Sequence, residues 1–213
     1  MKILNSSLAA ILALSLSACG SMCSSCHDGI KNEAATMPCH KKMSPEEIEK
    51  NFKASMMSSE HHKALEQLVG NFSVTSKFWM DPTKAPEVNK GTAKHTAVYG
   101  GKFVKIDYDS KTMGQPFFGT GYYGYNNVTD QYESNWIDSM STGIGVSKGT
   151  YDADTKTFTF LNDEVVCPAT KMKTKVREVF KVIDKDNLLL EMYSTPEGMQ
   201  EMKQLEIAYK RKK

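Results

Sequence analysis

From Asn71 onward, polar and apolar residues alternate along the chain. Phe72, Val74, Ser76 and Phe78 take every second position, with Ser73, Thr75, Lys77 and Trp79 between them. That period of two belongs to a strand with one buried and one wet face. Similar runs lie near residues 91–99, 102–109, 116–125, 131–138, 144–151, 156–161, 173–183, 187–194 and 202–210. Turn signals separate them, among them Gly100-Gly101, Asp109-Ser110-Lys111, Asn126-Asn127, Asp152-Ala153-Asp154, Asp184-Lys185-Asp186-Asn187 and Pro196-Glu197-Gly198. Linkers this short join antiparallel hairpins, so the pattern predicts about ten strands in simple succession. Closing such a sheet into an up-and-down barrel removes both of its edges. The expected fold is all-β, a single antiparallel barrel over residues 71–213.

Two details refine that barrel. Lys175, Arg177 and Lys181 alternate with Val176, Val179 or Phe180, and Val182, as a wall with a wet and a buried side requires. Gly119, Gly121 and Gly124 fall within one strand. Glycine there suits a sharp barrel corner or a close ligand approach, and the corner is the preferred reading.

Residues 44–70 change period and read as helix. Ser44-Pro45-Glu46-Glu47 is a capping box with proline at the first helical position. Ile48, Phe52 and Met56 recur on one face, and after Ser58-Ser59 a second helix is expected from Glu60 to Val69, ended by Gly70. His61 and His62 point about 100° apart on a helix, so one packed and one exposed histidine is expected rather than a shared ion.

The amino terminus reads as an export signal. Lys2 supplies positive charge, Leu8 to Leu16 an apolar run, and Leu16-Ser17-Ala18-Cys19 a lipobox-like end. Residues 1–18 are thus expected to be a lipoprotein signal peptide, with Cys19 the lipidated first residue of the mature chain. An ordinary cleaved signal is the alternative. The apolar run is about half the ~20 residues that a spanning helix needs. The expected location is the cell envelope, membrane-anchored through the lipid. Gly20 after the cysteine points to the outer membrane if the organism is Gram-negative.

Residues 19–43 form a cysteine-rich tether, and three chemistries fit it. Cys23-Ser24-Ser25-Cys26-His27 matches the c-type haem attachment mark, with thioethers at Cys23 and Cys26 and His27 as iron ligand. Met37 or Met43 would complete the iron, although the stretch is short for the helices that enclose a haem. Cys23, Cys26, Cys39 and His40 supply enough soft ligands for a tetrahedral metal. Disulfides are the third reading, Cys23 with Cys26 and Cys39 with Cys167 among the pairings, since export favours oxidation.

Composition narrows the function classes. Net charge is +2, with Lys and Arg dispersed among Asp and Glu, unlike the concentrated basic face of a nucleic-acid binder. The basic end, Lys210 to Lys213, reads as a frayed, solvated terminus. No nucleophile elbow, zinc-protease motif or phosphate loop is found, so an enzyme is not expected.

Several blocks resemble domain-of-unknown-function family 1579. They are Gly100-Gly101-Lys102-Phe103, Gly114-Gln115-Pro116-Phe117 through Gly124-Tyr125-Asn126, Trp136 through Gly143, Gly149-Thr150-Tyr151-Asp152 and Leu205 through Tyr209. The resemblance covers roughly residues 61–212 and implies a lipocalin-type barrel. It implies no activity.

A small barrel either encloses an apolar ligand or is filled by its own side chains. The leading expectation is a cavity for a small hydrophobic or haem-like ligand. Alternation puts Tyr132, Ser134, Trp136 and Asp138 on one face, with Tyr132, Trp136 and Asp138 as candidate lining. The alternatives are a redox protein with haem on the tether and a structural lipoprotein with a filled barrel.

Overall fold

The computed structural model describes residues 43–213. The signal peptide, Cys19, and the tether residues Cys23, Cys26, His27, Met37, Cys39 and His40 lie outside the described residues. Two helices, α1 (Pro45–Met56) and α2 (Glu60–Glu66), precede ten strands. These are β1 (Gly70–Phe78), β2 (Glu87–Val98), β3 (Phe103–Thr112), β4 (Gln115–Asn126) and β5 (Gln131–Asp138), then β6 (Gly145–Asp152), β7 (Thr157–Val166), β8 (Lys173–Val182), β9 (Asn187–Pro196) and β10 (Met202–Arg211). Each strand pairs antiparallel with the one before it. Strand β1 also pairs with β10, from Phe72 opposite Arg211 to Phe78 opposite Leu205, and the sheet closes into an up-and-down barrel.

The seam between β1 and β10 is held outside as well as by the backbone. Lys77 lies 2.8 Å from Glu206, which also meets Lys203 at 3.0 Å. Lys203 and Lys181 both reach Glu191, at 2.5 and 3.2 Å, so the network spans β1, β10, β9 and β8. Such pairs contribute roughly 0.2–1 kcal/mol each at a surface.

The interior is packed unevenly. Toward α2, Phe72, Phe158, Phe160, Phe180, Leu188 and Val104 are fully buried, and Leu65 and Leu68 from α2 and its following turn close that end. Each large apolar side chain buried there is worth roughly 1.5–3 kcal/mol. Helix α2 is seven residues long, shorter than the run to Val69 that periodicity suggests, because Leu68 and Val69 turn to feed β1. His62 is buried and His61 exposed, as expected of neighbours on a helix.

Helix α1 begins on the expected capping box. The Glu47 amide donates to Ser44 Oγ and the Ser44 amide to Glu47 Oε2. It buries no residue, so the Ile48, Phe52 and Met56 stripe does not pack as a core face. Its carboxyl end is held by Asn127, whose side-chain amide donates to the carbonyls of Ala54, Ser55 and Met57 at 3.2, 3.4 and 2.7 Å.

Two expectations need correction, and a third gains a physical reason: the β4 glycines stand where a side chain would collide. A Cβ on Gly119 would stand 2.1 Å from the Trp136 indole, one on Gly121 2.4 Å from the Asn135 carbonyl, and one on Gly124 2.5 Å from Phe103. The basic terminus is not frayed: Lys210 and Arg211 belong to β10, and Arg211 donates to the carbonyls of Val69 and Lys185. Strand β2 starts at Glu87, ahead of the expected residue 91, because its first inward positions are Glu87, Asn89 and Gly91 and carry no apolar signal.

Candidate functional site

Past mid-barrel, away from α2, the inward face changes character. Ser134, Ser147, Val176, Glu178, Met192 and Leu205 point inward by the pairing register, yet each keeps part of its surface accessible. The half away from α2 is thus the more open of the two, although Ser194, Ser76, Ser110 and Tyr108 within it are closed.

At the boundary between the halves stands a hydrogen-bonded pair. Tyr123 on β4 donates its hydroxyl to Glu178 Oε1 on β8 at 2.5 Å. The Tyr123 ring packs on Phe160 and Phe180, with centroids 5.1 and 5.7 Å away, so the aromatic core fixes the hydroxyl. The Glu178 side chain points into the barrel by the pairing register, and the residue is partly accessible. Among the described residues its second oxygen, Oε2, has no hydrogen-bond partner, and it is not one of the sealed polar atoms lacking one. Oε2 therefore keeps some exposure. Burial pushes the Glu178 carboxyl up to about 7, against a smaller downward pull from the Tyr123 hydroxyl. Burial first, and the Glu178 charge second, hold the Tyr123 phenol well above its ordinary range.

The residues expected to line a cavity take three different places. Tyr132 faces inward but is sealed among Phe158, Tyr151 and Tyr125, and its hydroxyl donates to the His61 carbonyl at 3.1 Å. It belongs to the filled half; burial pushes its phenol up to about 12. Trp136 faces inward and is partly accessible, and its Nε1 donates to Asp138 Oδ2 at 3.1 Å. Asp138 sits at the end of β5, and its Oδ1 accepts the Met140 amide at 2.9 Å, capping the turn. Trp136 alone of the three borders the open half away from the rim.

Parity in β8 would have found Glu178. It shares the inward face with Val176, Phe180 and Val182, an acid at a core position. Tyr123 carries no comparable signal, since an inward tyrosine is ordinary core.

Two other features lie apart from this pair. His95 is buried at the closed end, its Nδ1 2.8 Å from the Leu68 carbonyl and its Nε2 without a partner. Burial pushes it down to about 4. An open groove of about 700 Å³ runs along the outer wall past Lys94, Asp107, Asp109, Lys212 and Lys213. Among the described residues no group of three or more His, Cys, Asp or Glu side chains is arranged to hold a metal ion. No helix among them is long and apolar enough to cross a membrane.

A profile described as "Protein of unknown function (DUF1579)" matches residues 57–211. The chain belongs to this family. Among solved structures, the DUF1579 chain is similar to Rv2717c from M. tuberculosis at 17% identity, over 74% of this chain and 100% of that one, with a TM-score of 0.53. That likeness supports the fold alone. A redesigned β-barrel is more distant, at 12% identity over 70% of this chain and 96% of that one, with a TM-score of 0.35. No curated protein matches the chain.

Proposed function

We propose that this DUF1579 protein binds a small, mainly apolar ligand in the open half of its barrel. The observation that carries the reading is Glu178, an inward acid at mid-barrel whose Oε2 no group among the described residues engages. An incoming donor would complete the carboxyl in place of water. The accessible inward surfaces of Val176, Met192, Leu205 and Trp136 supply apolar contact around it.

The sequence adds a place to work. A lipid on Cys19 would hold the barrel at a membrane of the cell envelope, where apolar molecules collect. A c-type haem on Cys23 and Cys26, with His27 as ligand, is a separate reading that rests on the motif alone. A peroxidase stain of the denatured band, made in a host that matures cytochrome c, decides it.

Native mass spectrometry of the protein purified from its own envelope tests the barrel reading. The expected spectrum shows the mature chain with a small organic molecule that leaves on activation. A spectrum of bare chain alone, under conditions that preserve a control lipocalin complex, contradicts it.

A further inference from the structure

We infer that Glu178 selects the ligand, and that the ligand is an apolar molecule carrying a cationic amine, not a carboxylate. This rests on the ligand-binding reading above and narrows it.

The charge pattern of the wall points that way. The pairing register sends Lys90, Lys94, Lys105, Lys175, Arg177, Lys181 and Lys203 outward. Among the described strand residues the one inward guanidinium is Arg211, at the closed end and engaged by the Val69 and Lys185 carbonyls. The inward acids are Glu87, Asp138 and Glu178. Glu87 Oε1 accepts from Asn89 and from the Met113 amide, while both oxygens of Asp138 are taken by Trp136 and Met140. Among these acids only Glu178 combines a mid-barrel position with an oxygen that no group among the described residues engages.

An anionic head group entering this space would meet an acid and no counter-charge. A fatty acid or a porphyrin dicarboxylate is disfavoured on that ground. An ammonium instead completes Oε2 with a charge-assisted hydrogen bond. The exchange is balanced in charge. Where Glu178 carries its proton, the incoming ammonium takes the place of that proton, which leaves to solvent. The cavity is neutral before and after.

The test uses the whole mature chain and the neutral fluorophore N-phenyl-1-naphthylamine as reporter of the cavity. Dodecylamine, dodecanol and dodecanoic acid, each below its micelle concentration, compete for it. The expected result is displacement by the amine at a concentration roughly tenfold or more below that of the acid or the alcohol. In Glu178→Gln, which keeps an acceptor for Tyr123, the amine should lose its advantage. Acid or alcohol competing as well as the amine in the unaltered protein overturns the inference and leaves the cavity standing. An amine advantage that survives in a folded Glu178→Gln protein also overturns it. If the fluorophore itself fails to bind, the ligand-binding reading falls, and this inference with it. Should the variant not fold, the comparison in the unaltered protein decides alone.

Discussion

His95 and Leu68 join the plug to the wall: the imidazole Nδ1 stands 2.8 Å from the carbonyl that ends the α2 turn. A carbonyl only accepts, so Nδ1 carries the proton and Nε2 is left as a sealed acceptor. Protonating Nε2 inside the barrel is unfavourable, with the Arg211 charge adding a smaller opposition to that of burial. The unfolded chain takes that proton near pH 6.5 and the folded chain only near pH 4. Through His95, stability therefore falls as pH drops across that window, by about 3 kcal/mol in all.

Glu178 has the opposite sign. The folded carboxyl holds its proton up to about pH 7, whereas the unfolded one releases it near 4.5. Its contribution is present below the lower value and is lost as pH rises through the upper one, again by about 3 kcal/mol. The two slopes offset, so urea unfolding of the unaltered protein should change little between about pH 4.5 and pH 6.5. In Glu178→Gln the same measurement should show stability rising with pH over that range, with a gain near neutrality. A profile in the variant as flat as the parent's would refute the assignment.

Gly121 has no room for a side chain, since an added Cβ would meet the Asn135 carbonyl at 2.4 Å and the Trp136 ring at 2.9 Å. The carbonyl belongs to the paired strand and cannot swing away. Gly121→Ala should cost roughly 1–3 kcal/mol and lower the melting temperature. Gly143, with open space around it, is the control, and its alanine variant should melt at or above the parent.

Asn127 is the clasp on α1. Because that helix buries nothing, the three carbonyl contacts are its chief tie to the barrel. Asn127→Ala should leave the barrel's melting point nearly unchanged while trypsin cleaves faster at Lys50 and Lys53. Equal cleavage rates would show that the helix is held by something else.

How much of this was readable beforehand differs between wall and interior. Alternation such as Phe72-Val74-Ser76 reports a face directly, so the strands from β3 to β10 fell close to their expected places. The start of β2 escaped because its first inward positions are Glu87, Asn89 and Gly91, which give no apolar period to read. The shared inward face of Tyr132 and Trp136 was legible, but not how the two divide along the barrel. Tyr132 and Trp136 share a face and a residue type, yet one is capped by α2 and the other is not, which only the three-dimensional position of the plug decides. Glu178 was missed because Val179 and Phe180 both looked inward, which obscured its parity.

Val176 offers a direct way to probe the filling. It faces inward, one pair along from Glu178, and is partly accessible. In a hollow barrel Val176→Phe should be accommodated with little loss of stability. In a filled one overpacking would cost roughly 1–3 kcal/mol. The urea midpoint of the variant separates the two.

The central claim is that the barrel holds usable space beside Glu178. A fluorescence titration with N-phenyl-1-naphthylamine tests it most directly, with the Val176→Phe protein run beside the parent. The account predicts saturable binding to a single site in the parent and its loss in the folded variant. No saturable signal in the parent, or an equal signal in both, would contradict it.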